Sequence, residues 1–201
     1  MAHRFVVVGG GPAGNQAATT AARFGAEVTL IESDVIGGSA HLRDCIPSKA
    51  MIATGGAMND QRRSAGMGLT STSPALDLDA LRRRIGDIEA RLEASVTGLL
   101  HDQGVRIVAG RGRLVGPHEV EITPHDGPAE VVGADTIVLA TGSRPRVPDF
   151  AQADGDRVLT TRHAYPPPVL PEHLVVIGSG VTGVEFVHMF SAFGSDVTLI
   201  V

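Results

Sequence analysis

The stretch best equipped to do chemistry surrounds the single cysteine of the chain, Cys45. It runs from Gly37 to Lys49 and reads Gly-Gly-Ser-Ala-His-Leu-Arg-Asp-Cys-Ile-Pro-Ser-Lys. Pro47 suits the first turn of a helix, so the thiol is predicted to lie at a helix start, where the helix dipole and Lys49 favour the thiolate. A free cysteine is more often a small buried hydrophobe, and Cys45 taken by itself leaves that interpretation open.

A pattern typical of nucleotide binding precedes this stretch. An apolar run from Phe5 to Val8 predicts a buried strand, and a G-x-G-x-x-G loop, an alanine-rich helix and a second strand ending in Glu32 follow it. Glycines let the backbone approach a pyrophosphate, the helix start supplies N–H donors, and Glu32 can accept from ribose hydroxyls. Because these parts occur in the required order, we expect this βαβ unit to bind a dinucleotide.

The same pattern returns near the end of the chain. Val175 to Ile177, the loop Gly178-Ser179-Gly180-Val181-Thr182-Gly183, a helix and Val197 to Ile200 repeat the first unit in register. Two chance glycine-rich turns would not match through both the helix and the second strand. Two dinucleotide sites predict two dinucleotides, most economically a bound flavin and the pyridine nucleotide that reduces it. Glu32 aligns with Val201, which has no charge to repel a 2′-phosphate, so we expect NADPH to be accepted.

Composition limits the class of protein and its partners. The 201 residues are 43% hydrophobic and include 25 glycines, which is typical of a globular α/β protein. A net charge of −5 without a basic run argues against nucleic acid as a partner. The sequence shows no signal peptide, no membrane-spanning run and no metal-binding pattern, and we expect a cytoplasmic protein.

Between the two units, the patterns predict further elements of less specific meaning. An amphipathic helix is expected from Leu78 to Leu99. Short strands are expected around glycine turns, namely at 105–108, 113–115 and 119–123, with turns at 110–112 and 116–117. A buried strand is expected at 136–140, and the prolines at 166–168 and 171 indicate a stiff linker.

Taken together, these motifs resemble one family. The two βαβ units, Cys45 with its Ile-Pro-Ser-Lys, and the Ala-Thr-Gly-Ser-Arg-Pro run ending at Pro145 are similar to the flavoprotein pyridine nucleotide-disulfide oxidoreductases, over the whole chain. The resemblance implies FAD as the cofactor and NAD(P)H as the co-substrate. It assigns FAD to Gly9, Gly11, Pro12, Ala13, Gly14, Glu32, Gly38, Ser39, Lys49, Gly112, Thr141, Gly142 and Ser143. It assigns NAD(P)H to Gly178, Gly180, Val181, Thr182 and Gly183.

The resemblance also implies three catalytic residues. Cys45 matches the cysteine that lies against the flavin, and Glu185 matches a carboxylate that pairs with Lys49 near flavin N5. Such a pair would stabilise charge on the reduced ring. The alternative interpretation of Glu185 is an exposed helix carboxylate with no partner.

One departure from the family pattern changes the expected function. Ala40 stands where the family has its first cysteine, and Asp44 replaces a glycine. Thiol–disulfide exchange needs an attacking thiol and a resolving one, and that pair is missing. The chain therefore resembles a branch that acts as NAD(P)H quinone reductases, with a small-molecule electron acceptor. Two alternatives stay open: a disulfide reductase with a cysteine beyond Val201, and a non-catalytic flavin-binding or redox-sensing protein in which Cys45 forms a sulfenic acid.

The expected domain organisation follows from the two units. Residues 1–150 are predicted to form an FAD-binding domain, 151–171 a linker, and 172–201 the start of an NAD(P)-binding domain. The second unit stops after one βαβ, so the natural polypeptide is expected to be longer. The resemblance implies a homodimer in that longer form.

Overall fold

The computed structural model describes residues 2–70 and 73–201, and it confirms the α/β fold class. The helices are α1 (Pro12–Arg23), a π-helix (Ala40–Cys45), α2 (Ile46–Ser64), a short 3-10 helix (Ala65–Met67), α3 (Leu78–Asp102), α4 (Thr161–Ala164) and α5 (Val181–Phe193). The strands are β1 (Arg4–Val8), β2 (Glu27–Glu32), β3 (Arg106–Gly116), β4 (Glu119–Pro124), β5 (Glu130–Gly133), β6 (Thr136–Leu139), β7 (His173–Ile177) and β8 (Asp196–Ile200).

The chain divides into two compact units, each made of two sequence segments. The first compact unit comprises Met1–Arg43 and Ile88–Pro145, and the second comprises Asp44–Asp87 and Arg146–Val201. The predicted boundaries at residues 150 and 171 concern cofactor binding, and they stay predictions. Within the described ranges, no helix combines the length and the apolar character that crossing a bilayer requires.

A six-stranded sheet with the order β5-β4-β3-β2-β1-β6 forms the first compact unit. β1 pairs in parallel with β2 and β6, and β2 pairs in parallel with β3. The apolar run of β1 is buried on both faces, because Val6 and Val8 pack against one core cluster while Val7 packs against another that includes α1 and the end of α3. The first βαβ unit is thereby confirmed as a structural element.

The strand after α3 corrects the sequence prediction. The sequence predicts a turn at Gly110-Arg111-Gly112 between two short strands, but β3 continues through these residues without a break. A Cβ on Gly110 would lie 2.4 Å from the carbonyl oxygen of Thr123, and one on Gly112 would lie 3.0 Å from the side chain of Val8. These glycines therefore serve close packing inside a sheet, which sequence spacing does not distinguish from a turn.

The strand predicted as buried at 136–140 also differs. β6 spans Thr136–Leu139 and lies at the edge of the sheet, with half-buried residues and Leu139 62% exposed. An edge strand has a neighbouring strand on one side only, so the side chains of an apolar run at the edge stay partly exposed to solvent.

In the second compact unit, α2 and α5 pack beside the parallel pair β7 and β8. Met51 and Met58 of α2 meet Met189, Phe190 and Phe193 of α5 in one buried cluster. The predicted amphipathic helix is confirmed as α3, and its first turns add Leu81 and Ile85 to the same cluster.

Gly55 lets α2 and α5 approach closely. The two helices run in the same direction, because Ser48 meets Glu185 and Gly55, about two turns further along α2, meets Ala192, about two turns further along α5. A Cβ added at Gly55 would lie 2.9 Å from the Ala192 Cβ, whereas a Cβ added at Gly56 would meet nothing within 4 Å. The separation of the helices is thus set at Gly55.

We predict opposite effects for alanine at these neighbouring positions. Gly56→Ala should raise the unfolding midpoint, because alanine favours a helix by about 1 kcal/mol over glycine. Gly55→Ala should be less stable than Gly56→Ala by about 1–3 kcal/mol, because its methyl group overpacks the α2–α5 contact. Thermal and urea unfolding of both variants measures the difference, and equal midpoints would contradict the packing argument.

Candidate functional site

The first glycine loop joins β1 to α1 and can be built only from glycine at two positions. Gly9 has φ of +111°, and a Cβ there would lie 2.2 Å from the carbonyl oxygen of Ala140. A Cβ on Gly14 would lie 1.8 Å from the carbonyl oxygen of Gly9. Gly11 caps α1 without any side-chain hydrogen bond, so the first N–H groups of the helix, which follow Pro12, are served by no capping side chain.

Glu32, at the end of β2, is held against this loop. Its Oε2 accepts from the Gly10 N–H over 2.5 Å, and its Oε1 accepts from the Asp34 N–H over 2.7 Å. A carboxylate has about four lone-pair sites, so both oxygens can still accept from ribose hydroxyls. The predicted role of Glu32 is compatible with this geometry.

A second glycine segment lies backbone to backbone with the loop. Gly38 has φ of +77°, and a Cβ there would lie 2.3 Å from the Gly11 Cα. Ser39 follows it, with its hydroxyl 3.5 Å from Asp34 Oδ2. Bare backbone at a helix start is the donor set that a pyrophosphate requires, so the residues present fit a dinucleotide.

The residues after β6 lie beside the same loop, because β6 pairs in parallel with β1 and the two strands end side by side. The Ala140 N–H donates to the Val8 carbonyl over 2.8 Å, and a Cβ on Gly9 would lie 3.1 Å from the Thr141 nitrogen. Thr141, Gly142 and Ser143 are exposed. Gly112 lies instead on β3, against the side chains of Val8 and Ile31, and its predicted contact to adenine stays a prediction.

The second glycine loop repeats this geometry in the second compact unit. The Gly178 N–H donates to the Ile200 carbonyl over 2.9 Å, as Gly9 does to Ile31 over 2.8 Å. A Cβ on Gly183 would lie 1.9 Å from the Gly178 carbonyl oxygen, whereas one on Gly180 would meet nothing within 4 Å. Val181 and Thr182, at the start of α5, are exposed. The sequence repeat is thus a structural repeat.

Cys45 is exposed, so the interpretation as a buried hydrophobe is wrong. The expected position at a helix start is also corrected: Cys45 is the last residue of the π-helix and has helical angles, φ −64° and ψ −48°. The helical run therefore begins at Ala40, and the dipole effect, which fades within the first turn, is weaker at Cys45 than expected. Pro47 lies in the first turn of α2, as predicted.

Lys49 and Glu185 form the ion pair that the family resemblance implies. Lys49 Nζ lies 2.6 Å from Glu185 Oε1, and the Ser48 hydroxyl donates to Glu185 Oε2 over 2.5 Å. Burial alone would raise the pKa of Glu185, but the hydrogen bonds from Lys49 and Ser48 and the charge of Lys49 lower it below the ordinary value. The hydrogen bond to Glu185 raises the pKa of Lys49, and the charge of Cys45 adds to that rise.

Sequence reasoning missed two residues beside this pair. Ser48 is 2% exposed, and burial raises the pKa of Tyr165 to about 12. The Tyr165 ring stacks on Phe186 with centroids 4.9 Å apart and an interplanar angle of 11°. Ser48 lies inside the Ile-Pro-Ser-Lys run and could have been considered, whereas Tyr165 belongs to a proline-rich segment without periodicity.

Arg43 ties the π-helix to α3 in the first compact unit. Its Nη1 lies 3.2 Å from Glu89 Oε2. Burial raises the pKa of Glu89, and the charge of Arg43 opposes that rise only in part. The sequence carried no signal for this pair, because its members are far apart in the chain.

The first compact unit offers backbone donors for phosphates, and the second offers a cation and a thiol. Among the described residues, no group of three or more His, Cys, Asp or Glu side chains is placed to hold a metal ion. In the second compact unit, Lys49 is held charged next to an exposed thiol.

Comparison with known proteins places this geometry in a family. The chain is 40% identical to an NAD(P)H dehydrogenase (quinone) of Mycobacterium tuberculosis and 34% identical to a dihydrolipoyl dehydrogenase of Zymomonas mobilis, over all of this chain and 43% of each relative. A crystal structure of LpdA from Mycobacterium tuberculosis superimposes with a TM-score of 0.89 at 39% identity, over 98% of this chain and 44% of that one. The chain thus spans less than half the length of these relatives. The family described as pyridine nucleotide-disulphide oxidoreductase matches residues 3–201, and the chain belongs to this family of oxidoreductases.

Proposed function

We propose that the protein containing this chain transfers hydride from NAD(P)H to FAD and passes the electrons on to a quinone or a similar small acceptor. The observation that carries the proposal is the exposed pair of positions at the ends of the π-helix, Ala40 and Cys45, of which only the second has a thiol. The similarity to an NAD(P)H dehydrogenase (quinone) supports the same proposal.

The π-helix explains why a missing thiol at residue 40 matters. Ala40 and Cys45 are five residues apart, which is the spacing joined by a π-helical hydrogen bond. Two cysteines at these positions would be neighbours along one turn, as a dithiol requires. With alanine at residue 40, Cys45 has no resolving partner there, and exchange with a disulfide substrate stops at a mixed disulfide.

The remaining residues are proposed to bind and orient the two nucleotides. Gly9, Gly11 and Gly14 hold the FAD pyrophosphate and Glu32 its ribose, while the loop from Gly178 to Gly183 holds NAD(P)H. FAD, when bound, would accept two electrons from the nucleotide and could pass them to a quinone in one-electron or two-electron steps. Lys49 keeps a positive charge at a fixed atom, because Glu185 holds it by a short hydrogen bond.

A disulfide reductase is the competing function, because dihydrolipoyl dehydrogenases are among the relatives. Such an enzyme would need its second thiol from elsewhere in the protein. We further propose a cytoplasmic homodimer with an FAD-binding domain at 1–150, a linker at 151–171 and an NAD(P)-binding domain from 172.

An anaerobic titration of the full-length protein tests the function. We predict that flavin absorbance bleaches with NADPH and recovers with a quinone, because electrons leave the reduced cofactor directly. Lipoamide should not restore the absorbance at a comparable rate, because the dithiol is missing. Rapid recovery with lipoamide would favour the disulfide reductase, and absence of flavin bands would contradict both.

A matched pair of variants isolates the role of residue 40 in the same titration. Ala40→Cys supplies the second thiol, so lipoamide should restore the flavin absorbance of this variant. Mild oxidation should join the two thiols in a disulfide, so that two fewer thiols are titrated. Ala40→Ser is the control of similar size and should behave like the parent protein.

Serine substitutions in the second loop separate ligand binding from folding. We predict that Gly180→Ser raises KM for NADPH with little change in the unfolding midpoint, because serine is a good helix cap and no atom obstructs its Cβ. Gly183→Ser should lower the midpoint, because its Cβ overlaps the Gly178 carbonyl oxygen. Steady-state kinetics and thermal unfolding measure both, and an unchanged KM in Gly180→Ser would contradict the assignment.

The residue directly after β8 tests the choice of nucleotide. Val201 occupies the repeat position of Glu32, so we predict turnover with NADPH in the parent protein. Val201→Glu should shift the ratio of kcat/KM values toward NADH by about tenfold, or ~1.4 kcal/mol, because a carboxylate repels the 2′-phosphate. Val201→Gln, of equal size without charge, should show a smaller shift, and strict NADH use by the parent would refute the prediction.

A further inference from the structure

Two consecutive residues of α2 share the carboxylate of Glu185, and the smaller of them is buried. Lys49 Nζ lies 2.6 Å from Oε1, and the Ser48 hydroxyl donates to Oε2 over 2.5 Å. Ser48 is 2% exposed, whereas the Lys49 side chain is 57% exposed. The carboxylate therefore has one contact that faces solvent and one that is shielded from it.

The hydroxyl of Ser48, in the first turn of α2, is directed to α5 rather than to its own helix. Serine and threonine inside a helix commonly donate to the carbonyl oxygen four residues earlier. Thr54, further along α2, does so over 3.0 Å to the Ala50 carbonyl oxygen. Ser48 donates instead to the Glu185 carboxylate. Because a hydroxyl has only one proton, that proton is committed to Glu185.

Ser48 restricts the orientation of Glu185 more than Lys49 does. The Ser48 oxygen is one bond from Cβ, whereas the ammonium of Lys49 ends a flexible four-carbon stem and is open to water. The backbone that carries Ser48 is fixed against α5, since a Cβ added at Gly55 would lie only 2.9 Å from the Ala192 Cβ. Rotation of Glu185 away from α2 would leave a buried hydroxyl without its acceptor, which is unfavourable.

A second buried serine in the same compact unit provides a comparison. Among the described residues, Ser48 and Ser195 are the buried polar ones, at 2% and 7% exposure. The Ser195 hydroxyl donates to the Pro171 carbonyl oxygen over 2.6 Å. Ser195 thus connects two backbone segments, while Ser48 serves the carboxylate of an ion pair.

We propose that Ser48 is a positioning residue, whose buried hydroxyl holds the Glu185 carboxylate in the orientation that presents Oε1 to Lys49. With Oε2 held by Ser48, Oε1 has a defined place, and so does the ammonium that it holds. This inference rests on the proposed function where it gives the Lys49–Glu185 pair a task in flavin reduction. It deepens that function by identifying the group that sets the geometry of the pair.

Ser48→Ala in the full-length, FAD-loaded protein is the test, because it removes the hydroxyl and leaves α2 with a good helix former. Burial raises the pKa of Glu185, and the hydrogen bonds from Lys49 and Ser48 lower it, so we expect this pKa to rise in Ser48→Ala. The carboxyl carbon signal in NMR, assigned by its loss in Glu185→Gln, measures the pKa without turnover.

Stopped-flow reduction of the flavin by NADPH is the second readout. The limiting rate should fall by about tenfold in Ser48→Ala, with little change in the NADPH concentration that gives half of this rate. Ser48→Thr keeps a hydroxyl at this position, so it should retain both the parent rate and the parent pKa of Glu185.

Two controls separate positioning from a general loss of packing. Ser195→Ala removes the other buried hydroxyl, so it should lower the unfolding midpoint and leave the Glu185 pKa and the reduction rate unchanged. In the background of Glu185→Gln, adding Ser48→Ala should not slow reduction further, because Ser48 acts through the carboxylate.

Two results would overturn the proposal. One is a Glu185 pKa that Ser48→Ala does not move, and the other is an equal slowing by Ser48→Ala with and without the Glu185 carboxylate. Failure of NADPH to reduce the flavin of the parent protein would instead contradict the proposed function. The shift of the Glu185 pKa would then still decide whether Ser48 positions the carboxylate.

Discussion

A partly buried carboxylate loses hydrogen bonds to water, and both of its oxygens need donors from the protein instead. The second compact unit provides such donors at Glu185. The Glu185 side chain is 21% exposed, and two consecutive residues of α2 contact it. Lys49 is 57% exposed, so solvent screens the pair and its contribution to stability is small. Its importance lies in geometry, because the close approach of α2 and α5 at Gly55 determines where the carboxylate and the ammonium meet.

The two glycine loops show one steric solution used twice. In each loop, the glycine that opens the turn has a positive φ, and a Cβ on the third glycine of the motif would overlap the carbonyl oxygen of the first. The middle glycine is less confined in both, and in the second loop nothing approaches it. The first and third glycines are therefore required by the fold itself, while the middle one leaves space where a ligand would come close.

The sequence predicted those parts of the molecule that depend on local pattern. The βαβ repeat and α3 rest on spacing or on a complete motif, the pairing of Lys49 with Glu185 rests on the family resemblance, and the structure contains all three. The prediction of a turn at Gly110 and Gly112 was wrong because glycine occurs both in turns and where strands pack closely. Only the positions of the neighbouring strands distinguish these two uses. The π-helix lay beyond prediction, since a run of six residues has no periodicity to detect, and Tyr165 is placed entirely by tertiary contacts.

The π-helical turn holds its shape with no sulfur at residue 40. Gly37 and Gly38, with their positive φ angles, lead into it, and the ion pair between Arg43 and Glu89 fastens it from the side. A covalent bridge is thus dispensable for the conformation of this segment. Alanine at residue 40 is therefore accommodated by glycine turns and an ion pair that do not involve its side chain, and under the proposed function this single position decides between a dithiol and a lone thiol.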